Sequence, residues 1–383
     1  YSLIVDADTT MSQPLQFQFA SSLSDALHRL PSTDRGAPAE WILSFQPDSV
    51  IALNHLSSIK INAGDIAEGI DYSNRALAVD PQNVYALFNR ANARYRLGDR
   101  NSAMTDLRQA VAIFPSHALA WKLIGDICTQ TSNPHGAIDA YNIAIQFLPD
   151  DAVTISNRGN ARFETGDLDG AFADYNRSIE LRPEYLPAWN NRAALSANRG
   201  NIQAAIDDLT AALLIDSNYP TARIGRADLL SRTGDTRSAI ADWDVAISLR
   251  PDLPVLYFRR ASDRLYNGDI RGAIEDIDHP NADDPALAGA RRFIRAACNA
   301  ALGQSSDAES DYNAGTALAE KFQNDEIYWR SRAIAAFALD KTDDQKIAIQ
   351  RISQVSQYPT NAPLDIPRFK ERMNDIRTKA TVD

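Results

Sequence analysis

The chain has 383 residues, of which 44% are hydrophobic and 23% are charged, a composition typical of globular proteins. Its formal net charge of −11 argues against general binding to nucleic acids or anionic membranes, because both require a basic protein surface. No apolar run approaches the roughly 20 residues of a membrane-spanning helix, which argues against membrane insertion.

The N-terminal segment 1–16 is predicted to form an extended arm, because apolar side chains alternate with polar ones as in a β-strand. We call the apolar side chains of this arm and of the residues that follow it the assembly arm, because they are candidates for contacts with another molecule. They are Tyr1, Leu3, Val5, Leu15, Phe17 and Phe19. Three arrangements are open: a hairpin, packing along the first helices, or strand pairing with another molecule. Phe17 and Phe19 also fit the start of a first helix.

After the arm, three residue types recur with a common period of about 34 residues, a spacing typical of helical repeat proteins. The prolines are Pro47, Pro81, Pro115, Pro149, Pro183, Pro251 and Pro285. The glycines are Gly64, Gly98, Gly166, Gly200, Gly234 and Gly268. The alanines are Ala103, Ala137, Ala171, Ala205, Ala239 and Ala273. Because chance does not produce three series in phase, this part of the chain is a repeat array.

Each repeat is predicted to be a pair of helices, A and B, joined by a tight turn. The glycine ends helix A in a left-handed conformation that other residues adopt at a cost in energy. An Asp or Asn follows the glycine and can cap helix B, and the proline prevents helix B from continuing. Ser132 replaces the glycine once, and Gly303 comes one residue late.

This pattern resembles the tetratricopeptide repeat, a 34-residue helix-turn-helix unit. With proline at repeat position 32, seven repeats begin in turn at Val50, Val84, Ala118, Ala152, Leu186, Pro220 and Pro254. The family's large aromatic residue at position 4 is matched by Trp121, Trp189 and Tyr257. Its small residue at position 8 is matched by Ala91, Gly125, Gly159, Ala193, Ala227 and Ala261. An eighth repeat fits with a slip of one residue.

The resemblance implies an all-α fold, a right-handed α-solenoid superhelix in which each repeat buries its apolar face against its neighbours. We predict four segments along the chain. They are an extended N-terminal arm (1–16), a degenerate leading repeat (17–49), eight tetratricopeptide repeats (50–321), and a degenerate repeat with a C-terminal capping helix (322–383).

Arginine at repeat position 7 occurs in the same repeats as aspartate at position 23. The pairs are Arg90 with Asp106, Arg158 with Asp174, Arg192 with Asp208, Arg226 with Asp242, and Arg260 with Asp276. The repeats with Leu56 and Ile124 at position 7 lack both residues, and the slipped repeat has Arg295 and Asp311. Because positions 7 and 23 lie opposite each other in a helical hairpin, we predict partly buried structural ion pairs and not an anion-binding stripe.

Asparagines recur at positions 6 and 9 of helix A, which line the concave groove in the family that the repeats resemble. They are Asn89, Asn92, Asn157, Asn160 and Asn191. Because an amide both donates and accepts hydrogen bonds, these side chains are candidates for binding the backbone of an extended peptide. The arrangement resembles the asparagine ladder of the O-linked N-acetylglucosamine transferases. The alternative is that the amides bond to neighbouring repeats or to water.

A second binding mode of the family, which grips a C-terminal carboxylate, is not predicted. Lys122 and Asn157 match parts of that pattern, but Asp126 and Pro187 stand where asparagine and lysine are needed.

The remaining residues give no indication of an enzyme. The five histidines lack the spacing of metal ligands, and no serine or cysteine nucleophile signature is present. Cys128 and Cys298 are too few for a disulfide framework and are predicted to be small buried residues. The sequence therefore predicts no catalytic residue, no metal and no cofactor.

Two functions remain open. The first is a non-catalytic protein-interaction scaffold that binds peptide or protein partners in its concave groove. The second is a self-assembling structural subunit, such as that of an extracellular fibre, joined through the arm and the solenoid ends. The missing initiator Met and the presence of only 7 lysines among 39 basic residues favour export, without specifying the compartment.

Overall fold

The structure is a computed structural model that describes residues 36–318, 321–322 and 325–355. These residues form 19 α-helices and two short 3-10 helices, and this part of the chain contains no β-strand. The chain divides into two compact units after Leu181, and each is an α-solenoid of antiparallel helix pairs.

The first unit contains one initial helix followed by the A and B helices of repeats one to four. Its helices are α1 (Gly36–Phe45), α2 (Val50–Ala63), α3 (Ile66–Val79), α4 (Val84–Arg96), α5 (Arg100–Ile113), α6 (Ala118–Gln130), α7 (Pro134–Phe147), α8 (Ala152–Glu164) and α9 (Leu168–Leu181).

The second unit contains repeats five to eight and one further helix pair. Its helices are α10 (Leu186–Asn198), α11 (Ile202–Ile215), α12 (Pro220–Thr233), α13 (Thr236–Leu249), α14 (Pro254–Asn267), α15 (Ile270–Ile277), α16 (Ala288–Ala301), α17 (Ser305–Thr316), α18 (Glu326–Ala338) and α19 (Thr342–Val355). The two 3-10 helices, Pro280–Ala282 and Pro285–Leu287, lie between α15 and α16. The capping helix expected near the C-terminus lies outside the described residues.

The turn between helices A and B keeps its geometry even where the glycine is missing. The glycines of this turn have positive φ, for example 84° at Gly98 and 83° at Gly166. Ser132 in the third repeat has φ of 54° and thus adopts the same left-handed conformation. Because a side chain disfavours this conformation by about 1–2 kcal/mol, the packing of the neighbouring helices imposes it on Ser132.

The ion pairs of the first unit bury their carboxylates between helices A and B. Arg90 binds Asp106 through two parallel hydrogen bonds, with Nε 2.9 Å from Oδ2 and Nη2 2.7 Å from Oδ1. Arg94 adds a third bond of 2.6 Å, and Asp106 is only 2% exposed. The fourth repeat has the same geometry, with Arg158 bound to Asp174 at 2.9 and 2.6 Å. Each buried carboxylate is therefore fully compensated by guanidinium groups.

The same arginines also bind the preceding repeat. The Nη1 of Arg90 donates to Asn74 at 2.9 Å, and the Nη1 of Arg158 donates to Asn142 at 2.9 Å. Both asparagines occupy repeat position 25 on helix B of the repeat before. One guanidinium thus joins three helices, and it fixes how consecutive repeats stack.

The second unit repeats this arrangement. The Nε and Nη2 contacts are 2.9 and 2.6 Å for Arg192 with Asp208, 2.7 and 2.8 Å for Arg226 with Asp242, and 3.0 and 2.5 Å for Arg260 with Asp276. Arg226 also donates to Thr210 at 3.1 Å, and Arg260 donates to Asp244 at 2.6 Å. Both acceptors lie at position 25 of the preceding repeat.

The slipped eighth repeat differs from the sequence expectation. Arg295 binds Asp278, at position 25 of the preceding repeat, and not Asp311. Asp311 instead accepts from Arg292 at 2.7 Å and from Asn299 at 3.3 Å. Because these two donors occupy both oxygens of Asp311, its charge is compensated without Arg295.

Asp263 in the second unit is a buried carboxylate to which no guanidinium of the described residues is bound. It accepts hydrogen bonds from the hydroxyl of Ser231 at 2.6 Å and from the indole of Trp243 at 2.8 Å. Burial raises the pKa of Asp263 to about 6, because the neutral donors offset only part of the desolvation. The nearby Arg259 is paired with Asp228 at 3.0 Å.

The ion pairs give a stability prediction within the first unit. We expect Asp174→Asn to lower the free energy of unfolding by about 3 kcal/mol, because it leaves two arginines without their buried partner. The matched control is Asp150→Asn, which removes a carboxylate that is 74% exposed and 3.2 Å from Arg177. Such an exposed pair contributes about 0–1 kcal/mol. Equal thermal midpoints of the two variants would show that the buried pair is not stabilising.

Asp263 gives a prediction about pH. Its folded-state pKa of about 6 exceeds its ordinary value of 3.8, so its contribution favours folding below about pH 4 and is lost as the pH rises through 6. We expect Asp263→Asn to raise stability at pH 7 by up to roughly 3 kcal/mol and to remove this part of the pH dependence. Denaturant unfolding between pH 4 and 8 measures both effects. An unchanged pH profile in the variant would contradict the assignment.

Candidate functional site

The A helices of the first unit lie side by side and form one polar surface. Consecutive helices among α2, α4, α6 and α8 contact each other. Side chains link them: Asn89 donates to the backbone oxygen of Asn54 at 3.0 Å, and Arg96 donates to that of Ile61 at 2.6 Å. We call the surface formed by positions 5, 6, 9, 12 and 13 of these helices the A-face.

Three of the candidate asparagines make hydrogen bonds within the first unit. Besides the bond of Asn89, the amide of Asn157 donates to Asp126 Oδ1 at 3.2 Å, and the Oδ1 of Asn160 accepts from the hydroxyl of Tyr175 at 2.8 Å. Each of these amides therefore uses part of its hydrogen-bonding capacity for contacts within the fold. Asn191 lies on α10 of the second unit and is half-buried.

Asn92 differs from these three. It is half-buried at position 9 of α4, and its side-chain amide makes no hydrogen bond to any residue in the described ranges. Its donor and its acceptor are both open to a ligand on the A-face.

Asp126 occupies position 9 of α6 in the third repeat, the same position that Asn92 occupies in the second repeat. Its Oδ1 accepts from the hydroxyl of Tyr141 at 2.8 Å and from the amide of Asn157 at 3.2 Å. Its Oδ2 accepts no hydrogen bond from the residues that the structure describes. Burial raises the pKa of Asp126, while Tyr141, Lys122 and Asn157 act in the opposite direction. Asp126 is thus a half-buried carboxylate with one open oxygen.

Lys122 lies one helical turn before Asp126 but binds a different carboxylate. Its Nζ is 3.3 Å from Asp151 Oδ2. Asp151 is held in place as the N-cap of α8, because it accepts from the backbone of Val153 at 3.2 Å and from the hydroxyl of Thr154 at 2.5 Å.

Further polar side chains of the A-face lie near the turn between α4 and α5. Gln130 donates to the hydroxyl of Tyr95, and Arg100 donates to Gln130 at 2.9 Å. Burial raises the pKa of Tyr95, and the negative charge of Asp126 adds to this effect. The phenol of Tyr95 therefore lies within the electrostatic reach of Asp126.

Glycine at position 8 allows the tyrosines to reach the A-face. A Cβ on Gly125 would lie 2.4 Å from the ring of Tyr141, and a Cβ on Gly159 would lie 2.7 Å from the ring of Tyr175. Both tyrosines occupy position 24 and bond to the residue at position 9 of their own repeat. Repeats three and four both have Gly at repeat position 8 and Tyr at repeat position 24. This pairing of residue types could have predicted the contacts from the sequence.

The remaining sequence predictions concern the assembly arm, the two cysteines, metal binding and membrane insertion. The assembly-arm residues Tyr1, Leu3, Val5, Leu15, Phe17 and Phe19 lie outside the described residues. Cys128 and Cys298 are buried and free. Across 36–318, 321–322 and 325–355, no group of His, Cys, Asp and Glu could hold a metal ion, and no helix is long and apolar enough to span a membrane.

The close approach of Tyr141 gives a further prediction. We expect Gly125→Ala to destabilise the fold by about 1–3 kcal/mol, because the added methyl group displaces the ring and breaks its bond to Asp126. Gly225→Ala is the matched control: its Cβ would meet only the two methyl groups of Leu209, at 3.3 and 3.6 Å, and alanine favours a helix by up to about 1 kcal/mol. Thermal unfolding tests the pair. A Gly125→Ala variant as stable as the control would contradict the close packing.

Comparisons with known proteins agree with the repeat frame. A profile of the tetratricopeptide-repeat family matches residues 56–100, 88–152 and 156–223. No curated protein sequence matches the chain.

Solved structures with a similar fold include PilW, described as a type IV pilus biogenesis factor, at 19% identity over 53% of this chain and 94% of that one, with a TM-score of 0.49. A tetratricopeptide repeat protein from Parabacteroides merdae ATCC 43184 is 21% identical over 66% of this chain and 99% of that one, with a TM-score of 0.47. YrrB, described as a protein with an unusual peptide-binding site, is 16% identical over 48% and 95%, with a TM-score of 0.42.

The family match falls on helix pairs α2 to α12, which recur in the structure with the period of the sequence pattern. The matched part of the chain, residues 56–152 and 156–223, therefore consists of tetratricopeptide repeats, which build protein-interaction scaffolds.

Proposed function

We propose that the first unit binds an extended peptide segment of a protein partner across its A-face. The observation that carries this proposal is the pair of open groups at position 9 of consecutive repeats. The amide of Asn92 and the Oδ2 of Asp126 are both free of hydrogen bonds to the described part of the chain. Polar groups that are half-buried and unpaired favour a ligand that supplies the missing partners.

An extended peptide suits the dimensions of this surface. Axes of packed helices are separated by about 8–10 Å, and an extended chain advances about 3.3 Å per residue. One repeat therefore corresponds to about three peptide residues. On the same spacings, the four A helices of the first unit would accommodate a segment of roughly 9–12 residues.

The neighbouring groups have fixed positions, which lowers the entropic cost of binding. Asn89 and Asn157 are held by bonds to adjacent A helices, and each retains acceptor capacity for a peptide N–H group. The proposed role of the A-face is binding and not catalysis.

The proposal predicts that binding depends on Asn92. Peptides would be selected from a random dodecapeptide phage-display library on the immobilised full-length chain, and their affinities measured by fluorescence anisotropy. We expect Asn92→Ala to weaken binding about 5- to 10-fold, because it removes one or two hydrogen bonds to the peptide. Stability should not change, because the amide has no intramolecular partner in the described part of the chain.

The control is Asn101→Ala, which truncates an exposed asparagine on helix B of the same repeat. Its affinity should equal that of the wild type. If the library yields no binding peptide, or if both variants bind as the wild type does, the A-face of the first unit is not the binding surface.

A further inference from the structure

We propose that Asp126 selects a basic side chain, lysine or arginine, at one position of the bound peptide. This inference rests on the proposed peptide-binding function of the A-face and adds the chemistry of the ligand.

The hydrogen bonds of Asp126 leave one side of its carboxylate for a ligand. The donors from Tyr141 and Asn157 both converge on Oδ1. An ionised carboxylate has about four acceptor sites on its two oxygens. The Oδ2, which no residue in the described ranges contacts with a donor, can therefore accept one or two N–H groups from outside.

The local charge favours a cation over a neutral donor. Among the charged groups that act on Asp126, Lys122 is the cation and Asp151 is the second carboxylate. Lys122 is bonded to Asp151. Its one ammonium group therefore faces two carboxylates, and Lys122, Asp126 and Asp151 together keep one negative charge. Binding a lysine or arginine would neutralise this charge.

The surroundings of Asp126 would strengthen such a contact. Charge-assisted hydrogen bonds are roughly twice as strong as neutral ones, and partial burial reduces screening by water. The half-buried ring of Tyr95 lies nearby and offers apolar surface to the aliphatic part of a basic side chain. Asn92, at the same position one repeat earlier, would hold the adjoining peptide backbone.

The test uses the same dodecapeptide library, selected separately on the wild type, Asp126→Asn and Asp139→Asn. The last variant is the control, because it removes one negative charge from an exposed residue on helix B of the same repeat. We expect peptides selected on the wild type and on Asp139→Asn to share lysine or arginine at one position. Peptides selected on Asp126→Asn should lack this preference.

A second measurement changes the peptide as well as the protein. Replacing the shared arginine of a selected peptide by citrulline removes its charge while keeping its shape. We expect this change to weaken binding to the wild type about 10- to 30-fold, and to have little effect on Asp126→Asn, as a double-mutant cycle for a direct contact requires.

The outcomes separate the two proposals. Peptides that bind in an Asn92-dependent manner without a basic preference would overturn the role of Asp126 and leave the peptide-binding function intact. A citrulline effect that is equal on Asp126→Asn and the wild type would place the basic residue elsewhere and also overturn it. Failure to select any peptide would remove both proposals.

Discussion

The stacking of repeats in each unit depends on a guanidinium group that binds two neighbouring B helices at once. Arg158, for example, holds the buried Asp174 of its own repeat and Asn142 of the repeat before. A carboxylate that is 3% exposed would be costly without this compensation. The ion pair thus fixes the hairpin and the register between repeats together, and it leaves the A helices to form a continuous polar surface.

The third repeat departs from this scheme, and the candidate site lies there. Ile124 and Ala140 replace the arginine and the aspartate, and Arg108 stands at position 25 of the repeat before. In the same repeat, Tyr141 reaches across Gly125 to Asp126. Local breaks in an otherwise consistent pattern are where functional residues are expected. The polar contacts that hold this hairpin are therefore also those that shape the proposed ligand site.

The sequence predicts the fold well because each signal recurs. The repeat period fixes the turns and helix pairs, and the turn keeps its left-handed residue even at Ser132. Contacts between repeats are harder to infer, because they depend on how helices pack. The role of position 25 and the exchange of partners at Arg295 do not follow from spacing alone, whereas the bond of Asn89 to the preceding repeat agrees with the alternative interpretation of the asparagines. From the sequence, Asp126 is only a mismatch to the carboxylate-binding pattern of the family.

A crystal structure of the full-length chain with a bound peptide tests the proposed binding site most directly. We expect an extended peptide along α4, α6 and α8, with a lysine or arginine nitrogen about 2.7–2.9 Å from Asp126 Oδ2. The amide of Asn92 should contact the peptide backbone. A peptide bound on the B helices, or one that leaves Asp126 Oδ2 facing solvent, would contradict peptide binding on the A-face with Asp126 as the acceptor of a basic side chain.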